Sequence, residues 1–389
     1  MGLPKIIFNI ATTGLGLLTG NVQKVPGVVI TGSTVAGKIT IGESKQLFSL
    51  EDAKDAGITE ADNPFAYKHV KAFYDYAQTG SELWIMLVSD ATSMESIADN
   101  TQDFAKKLLN EAGGRIRVLG IIKKSLGTET AANGLDADVD KAVIKAQKLS
   151  TEFAYKYFPV RVLISANNFN GNVQELKDYS TTEFNRVSLV IANTDGEKEA
   201  SIGLALGRLA SIPVQRKIHR VRDGAVENTA AYYTSGAKVE TLTTAWDELA
   251  DKNYIFLRNF AGRAGFYFST DSTLTKETDD FKTLSNGFVM DKAVIIAYNV
   301  LVENLADEIP VTASGTIHPA IIKSWQNAIE SNINGLMTSA GELSNCKVII
   351  DETQDVLTTG KLIVQIQLQP VGYAEYITVN IGFTTKIDA

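Results

Sequence analysis

Residues 63–88 read NPFAYKHVKAFYDYAQTGSELWIMLV, and the reading of this stretch decides the fold. Asn63 suits a helix N-cap and Pro64 the first helical position, where a missing N–H costs nothing. Ala66, Val70, Phe73 and Ala77 then recur on one helical face until Gly80 stops the helix. Leu83 to Val88 follows as an unbroken apolar run. Such a run is a strand buried on both faces, so the unit is a helix feeding a central strand.

The same unit repeats outward in both directions. Val28 to Ile30 reads as a short buried strand upstream. Downstream come a helix over Thr101 to Ala112, stopped by Gly113-Gly114, and a strand Ile116 to Ile122. A helix Asp140 to Tyr157, Pro159 and a strand Val160 to Ile164 come next. A helix Val173 to Tyr179, a strand Val187 to Ile191, and a helix Lys198 to Ala210 before Pro213 complete the series. Doubly apolar strands alternating with helices predict a largely parallel sheet covered on both sides, an α/β region.

The texture changes after Val226. Asn253 to Phe260 and Ala264 to Phe268 read as aromatic-rich strands, and helices are expected over Asp291 to Asp307 and Pro319 to Met337. Ile322, Trp325, Ile329 and Ile333 form one stripe of the second helix, more simply its own packing face than a partner site. Its polar face carries Lys323 and Glu330. Val348 to Ile350 is a short strand, while Leu362 to Leu368 and Ile377 to Phe383 alternate apolar and polar residues, as half-buried strands do. At the other end Ile6, Ile7, Phe8 and Ile10 precede Gly14, Gly16 and Gly20, a strand then a glycine-punctuated loop. A terminal strand of this kind must borrow a sheet edge from elsewhere.

Composition removes several classes of function. The 389 residues, 44% hydrophobic and 21% charged, describe a folding chain large enough for two domains. With a formal net charge of −8 and dispersed Lys and Arg, no field is present to hold a nucleic-acid backbone. Cys346 is the single cysteine, which excludes a disulfide framework within the chain and a cysteine-based zinc site, and fits reducing cytosol. Lys5 and the short run Ile6 to Ile10 fall short of a secretion signal, and no apolar stretch reaches membrane-spanning length, so a protein made in soluble form is expected.

Motifs that carry chemistry are weak. Gly32-Ser33-Thr34-Val35-Ala36-Gly37-Lys38 follows a strand with the spacing of a phosphate-binding loop. The next residue, where a magnesium-holding hydroxyl is needed, is Ile39, and Ile39 to Gly42 reads as a strand rather than a helix start. A glycine-rich hairpin explains it better. Asp136, Asp138 and Asp140 have the spacing of a calcium loop, but Lys141 and Gln147 stand where Gly and Glu belong. Acidic residues at a helix start account for them. His69, His219 and His318 lack ligand or base partners nearby in sequence, no Gly-x-Ser-x-Gly elbow occurs, and neither catalytic residue nor metal site is expected.

The order of features resembles that of contractile tail-sheath proteins, of phage tails and phage-tail-like injection systems. The likeness is carried by Val25-Pro26-Gly27-Val28, by Gly42-Glu43-Ser44-Lys45-Gln46-Leu47-Phe48-Ser49-Leu50-Glu51-Asp52-Ala53 with Gly57, and by the helix and strand through Val88. Leu249 to Arg258, Gly262 to Thr273 and Ala374-Glu375-Tyr376-Ile377-Thr378-Val379-Asn380-Ile381 extend it along nearly the whole chain. The resemblance implies an α/β (α+β) two-domain fold, with an outer α/β domain at residues 25–244 inserted into an inner polymerising domain. The inner part would be residues 245–371, with strand-exchange arms at 1–24 and 372–389. Ile6, Ile7, Phe8, Ile10, Tyr376, Ile377, Val379, Ile381 and Phe383 would be the exchanged-strand residues, and Gly14, Gly16, Gly20 and Gly372 hinges. Lys323 and Glu330 would face an inner tube.

By the same likeness the protein is a structural subunit without a cofactor, assembled in a bacterial host's cytoplasm into a virion or phage-tail-like particle. Its partners would be copies of itself, the inner tail tube protein, and the baseplate and tail terminator proteins. An extended state would be metastable, and contraction would need no nucleotide. The competing expectations are an α/β nucleotide-binding enzyme using Gly32 to Lys38, or another tail structural protein.

Overall fold

The computed structural model describes residues 24–383 apart from 79, 314 and 380. Strands β1 (Val25–Thr31), β2 (Ser44–Leu47), β3 (Leu83–Val88), β4 (Ile116–Ile122), β5 (Arg161–Ser165), β6 (Val187–Val190) and β7 (Tyr254–Ile255) form one seven-stranded sheet in the order β7-β6-β5-β4-β1-β3-β2. Every neighbouring pair is parallel except β2 against β3. Val28 stands beside Ile85 on one side and Gly120 on the other, which places β1 inside the sheet next to the central β4.

All five residues of β5 and all four of β6 are buried. Successive strand residues point to opposite faces, so both faces are covered, as strands apolar on both faces and alternating with helices predict. The covering helices are α1 (Leu50–Asp55), α2 (Pro64–Tyr76), α3 (Met94–Ala98), α4 (Ala105–Glu111), α5 (Ala137–Tyr155), α6 (Ile202–Ala210) and α7 (Trp246–Asp251). Helix α6 lies so close on α2 that a Cβ at Gly203 would sit 2.0 Å from the His69 carbonyl oxygen, and one at Gly207 2.6 Å from that of Phe73. Only glycine permits this backbone approach.

Several elements differ from expectation. The segment at Val173 is a single 3-10 turn, Val173–Glu175, and the helix before β4 starts at Ala105 rather than Thr101. The largest shift is helix α8, Leu284–Val302, where a start at Asp291 was expected. The Thr283 hydroxyl accepts from Asn286 N and caps a helix that begins seven residues before Asp291. Asp291 lies two turns into the helix with its carboxylate 2.8 Å from Arg161 Nε and 3.2 Å from Arg186, all three side chains largely buried.

The C-terminal half packs α8 against α9 (Pro319–Ile333) and a two-stranded antiparallel sheet, β8 (Leu343–Ile350) with β9 (Val364–Pro370). Strand β8 is longer than the three residues expected. Leu343, Cys346, Val348 and Ile350 on β8 and Ile366 on β9 face the core, as do Ile322, Ile329 and Ile333 of α9. The stripe on α9 is its own packing face, and Trp325 Nε1 donates to Asn304. A buried ion pair, Lys292 to Glu342 at 2.6 Å, ties α8 to the turn entering β8.

Candidate assembly surface

Two features of the C-terminal part stand out: a strand pair with an open edge and an arm that pairs with no strand among the described residues. Glu330 of α9 accepts the Val348 N–H at 2.7 Å, and Gln326 Nε2 donates to the Val348 carbonyl at 3.4 Å. The polar backbone groups of Val348 therefore point away from β9. In an antiparallel ladder the residue opposite, Ile366, then also turns its N–H and C=O outward, as does Leu368 two positions on. Among the described residues nothing pairs with those groups of Ile366 and Leu368. The outer edge of β8 is thus closed at its centre by α9, while that of β9 is free.

Beyond Pro370 the described chain forms no strand through Phe383. Tyr376, Ile377, Val379, Ile381 and Phe383 are each between 72% and 112% exposed, although the alternating pattern suits a half-buried strand. Among the described residues the arm is anchored at its root. The Tyr373 hydroxyl donates to the Gln215 carbonyl, and Glu375 lies 2.5 Å from Lys217 Nζ and 3.3 Å from His219 Nε2. Hydrogen bonds from these two partners bring the Glu375 carboxyl down to about 2. Gly372 is exposed and unconfined. Ile6, Ile7, Phe8, Ile10, Gly14, Gly16 and Gly20 lie outside the described residues. Lys323 is exposed and reaches Gln326, whereas the Glu330 carboxylate already serves Val348.

The remaining candidates are committed to the fold. Gly32 N donates to Val88 O, Ser33 N to Asn63 Oδ1, Val35 N to Ile39 O, and Lys38 N to Val35 O. Four of the seven amides from Gly32 to Lys38 are thus already bonded within the fold, and a tight Val35–Ile39 hairpin, not a helix, follows β1. The nucleotide-loop reading is not supported. Asp138 caps α3 through Met94 N and Glu95 N, Asp140 accepts from Asn133 and Tyr179, and Asp136 accepts from Asn168. Burial raises the Asp136 carboxyl to about 6. No group of ligating side chains that could hold a metal occurs among the described residues.

His69 is buried in α2, takes the Gly203 amide at 3.4 Å, and is pushed down to about 3 by burial. His318 caps α9, its Nδ1 accepting from Ala320 N. Burial pushes the Cys346 thiol up to about 12, which makes it a poor nucleophile. The association of His219 with Asp271 and Glu375 was invisible in sequence, because the three are spread over more than a hundred residues.

Comparison with known proteins places the chain. The DUF2586 N-terminal domain matches residues 3–272 and the DUF2586 C-terminal domain residues 280–388. The chain belongs to the DUF2586 family. Its fold is that of contractile sheath proteins. The anti-feeding prophage helical sheath in its contracted state has a TM-score of 0.63 at 17% identity, covering 99% of this chain and 100% of that one. The sheath complex of an extracellular contractile injection system, also contracted, gives 0.59 at 14%, covering 100% and 98%. A sheath tail protein from Listeria innocua gives 0.54 at 11%, covering 92% and 94%. A search by sequence among curated proteins found no match. No described helix is long and apolar enough to cross a membrane.

Proposed function

We propose that this DUF2586 protein is the repeating subunit of a contractile tail sheath, joined to its neighbours by exchanged β-strands. The observation that carries the reading is the unpaired apolar arm, Tyr376 to Phe383, on a chain that also presents the open edge of β9. A strand from one copy laid on that edge gains main-chain hydrogen bonds and pockets for alternate side chains. If each copy donates its arm to the next copy's edge, the contact is heterologous and repeats into a helix unless it closes as a ring.

On this reading residues 25–244 form the outer domain, 245–371 the inner domain, and 1–24 and 372–389 the arms. Gly14, Gly16, Gly20 and Gly372 supply hinges that let subunits turn while strands stay paired. The sheath surrounds an inner tube, touched by the α9 face carrying Lys323 and Glu330, and ends on baseplate and terminator proteins. It assembles in the bacterial cytoplasm and does no chemistry. The likeness to sheaths solved in helical and baseplate assemblies supports the self-association. Electron microscopy of the purified protein should show tubes or rings, and deletion of residues 1–18 or 373–389 should abolish long assemblies. A chain that stays monomeric at every concentration contradicts the reading. So does measurable ATP or GTP binding lost in Lys38→Ala.

A further inference from the structure

Three segments distant in sequence meet where the arm leaves the body. Lys217 Nζ lies 2.5 Å from Glu375 Oε1 and 3.6 Å from Asp271 Oδ1, and 4.8 Å from the centre of the Tyr373 ring. His219 spans the same two carboxylates, Nε2 at 3.3 Å from Glu375 and Nδ1 at 3.6 Å from Asp271. Asp271 is 1% exposed, the Lys217 and His219 side chains 11% and 17%, and Glu375 42%. The fixed half of the cluster is thus buried in the body, and the half on the arm is open to water.

We propose that Lys217, His219 and Asp271 form a latch for Tyr373 and Glu375, giving the C-terminal arm two lengths. Shut, the latch makes Tyr376 the first free residue of the donated strand. Open, it frees residues 371–375 as well, and five extended residues add about 16 Å of reach. Release strands no buried charge, because Lys217 keeps Asp271 when Glu375 departs. A subunit could therefore shift against its neighbour while the exchanged strand stays paired. The last step rests on the sheath reading; the latch itself does not.

Chymotrypsin on the unassembled full chain tests it, since Tyr373 lies inside the latch and Phe383 on the free arm. Cleavage of a folded chain tracks local opening, so cutting after Tyr373 should be about tenfold slower than after Phe383. Glu375→Gln should bring the Tyr373 rate up to that at Phe383, with the Phe383 rate and the thermal midpoint unchanged; Lys217→Met should raise the Tyr373 rate equally but lower the midpoint, because buried Asp271 loses its cation. Glu375→Gln alters only the half-exposed arm residue, so it serves if Lys217→Met folds poorly. Equal rates at the two sites in the unmodified chain, or no change in Glu375→Gln, overturn the latch. Tubes are scored separately, so protection at Tyr373 without any assembly would keep the latch and sink the sheath reading.

Discussion

The sheet domain and the C-terminal arm use the same apolar, strand-forming residues to opposite ends. In β5 and β6 every residue is buried, and the strands have partners on both sides. Tyr376, Ile377, Val379, Ile381 and Phe383, apolar residues of an alternating pattern, stand in solvent with no partner strand among the described residues. The domain spends its apolar surface on its own stability, whereas the arm keeps its surface for a contact outside the chain. Substitutions should therefore divide sharply into those that unfold the molecule and those that leave it folded but alone.

The largest loss of stability is expected at Asp291. Removing its carboxylate leaves Arg161 and Arg186 buried without a counter-charge, so Asp291→Ala should cost about 3–5 kcal/mol in denaturant unfolding. Gly203→Ala comes next. The new Cβ forces α6 off the His69 carbonyl, at about 1–3 kcal/mol by the same measurement.

A smaller effect follows from His69, held near 3 in the fold against 6.5 when exposed. The unfolded chain binds the proton that the folded chain refuses, so its contribution is complete above the unfolded value and falls as pH drops from there toward 3. Between about pH 7 and about pH 5.5 the unmodified protein should lose about 1 kcal/mol more than His69→Gln. An identical pH slope in both would remove His69 as the cause. At the bottom of the scale, Ile377→Ser with Ile381→Ser should change stability by less than about 0.5 kcal/mol, because both side chains are already exposed. A large destabilisation there would break the contrast between the two regions.

Much of this was legible in the residues. Strands β3 and β4 ran from the predicted first residue to the predicted last, because β3 is an unbroken apolar run and β4, interrupted only by Arg117 and Gly120, is bounded upstream by Gly113-Gly114 and downstream by Lys123-Lys124. Helix α8 was misplaced because it is apolar almost all round, so no stripe marks its start. The open edge of β9 could not be read, since it depends on Gln326 and Glu330 reaching Val348 across the fold. The Lys217, His219 and Asp271 cluster was hidden for the same reason, and the alternating pattern from Ile377 to Phe383 reads as a half-buried strand, whereas Ile377, Val379, Ile381 and Phe383 stand exposed.

The measurement closest to the central claim is electron microscopy of the purified chain beside the same chain lacking residues 373–389, at equal concentration. The account predicts tubes or rings from the first and folded single subunits, with an unchanged unfolding midpoint, from the second. Long assemblies persisting without the arm would contradict it.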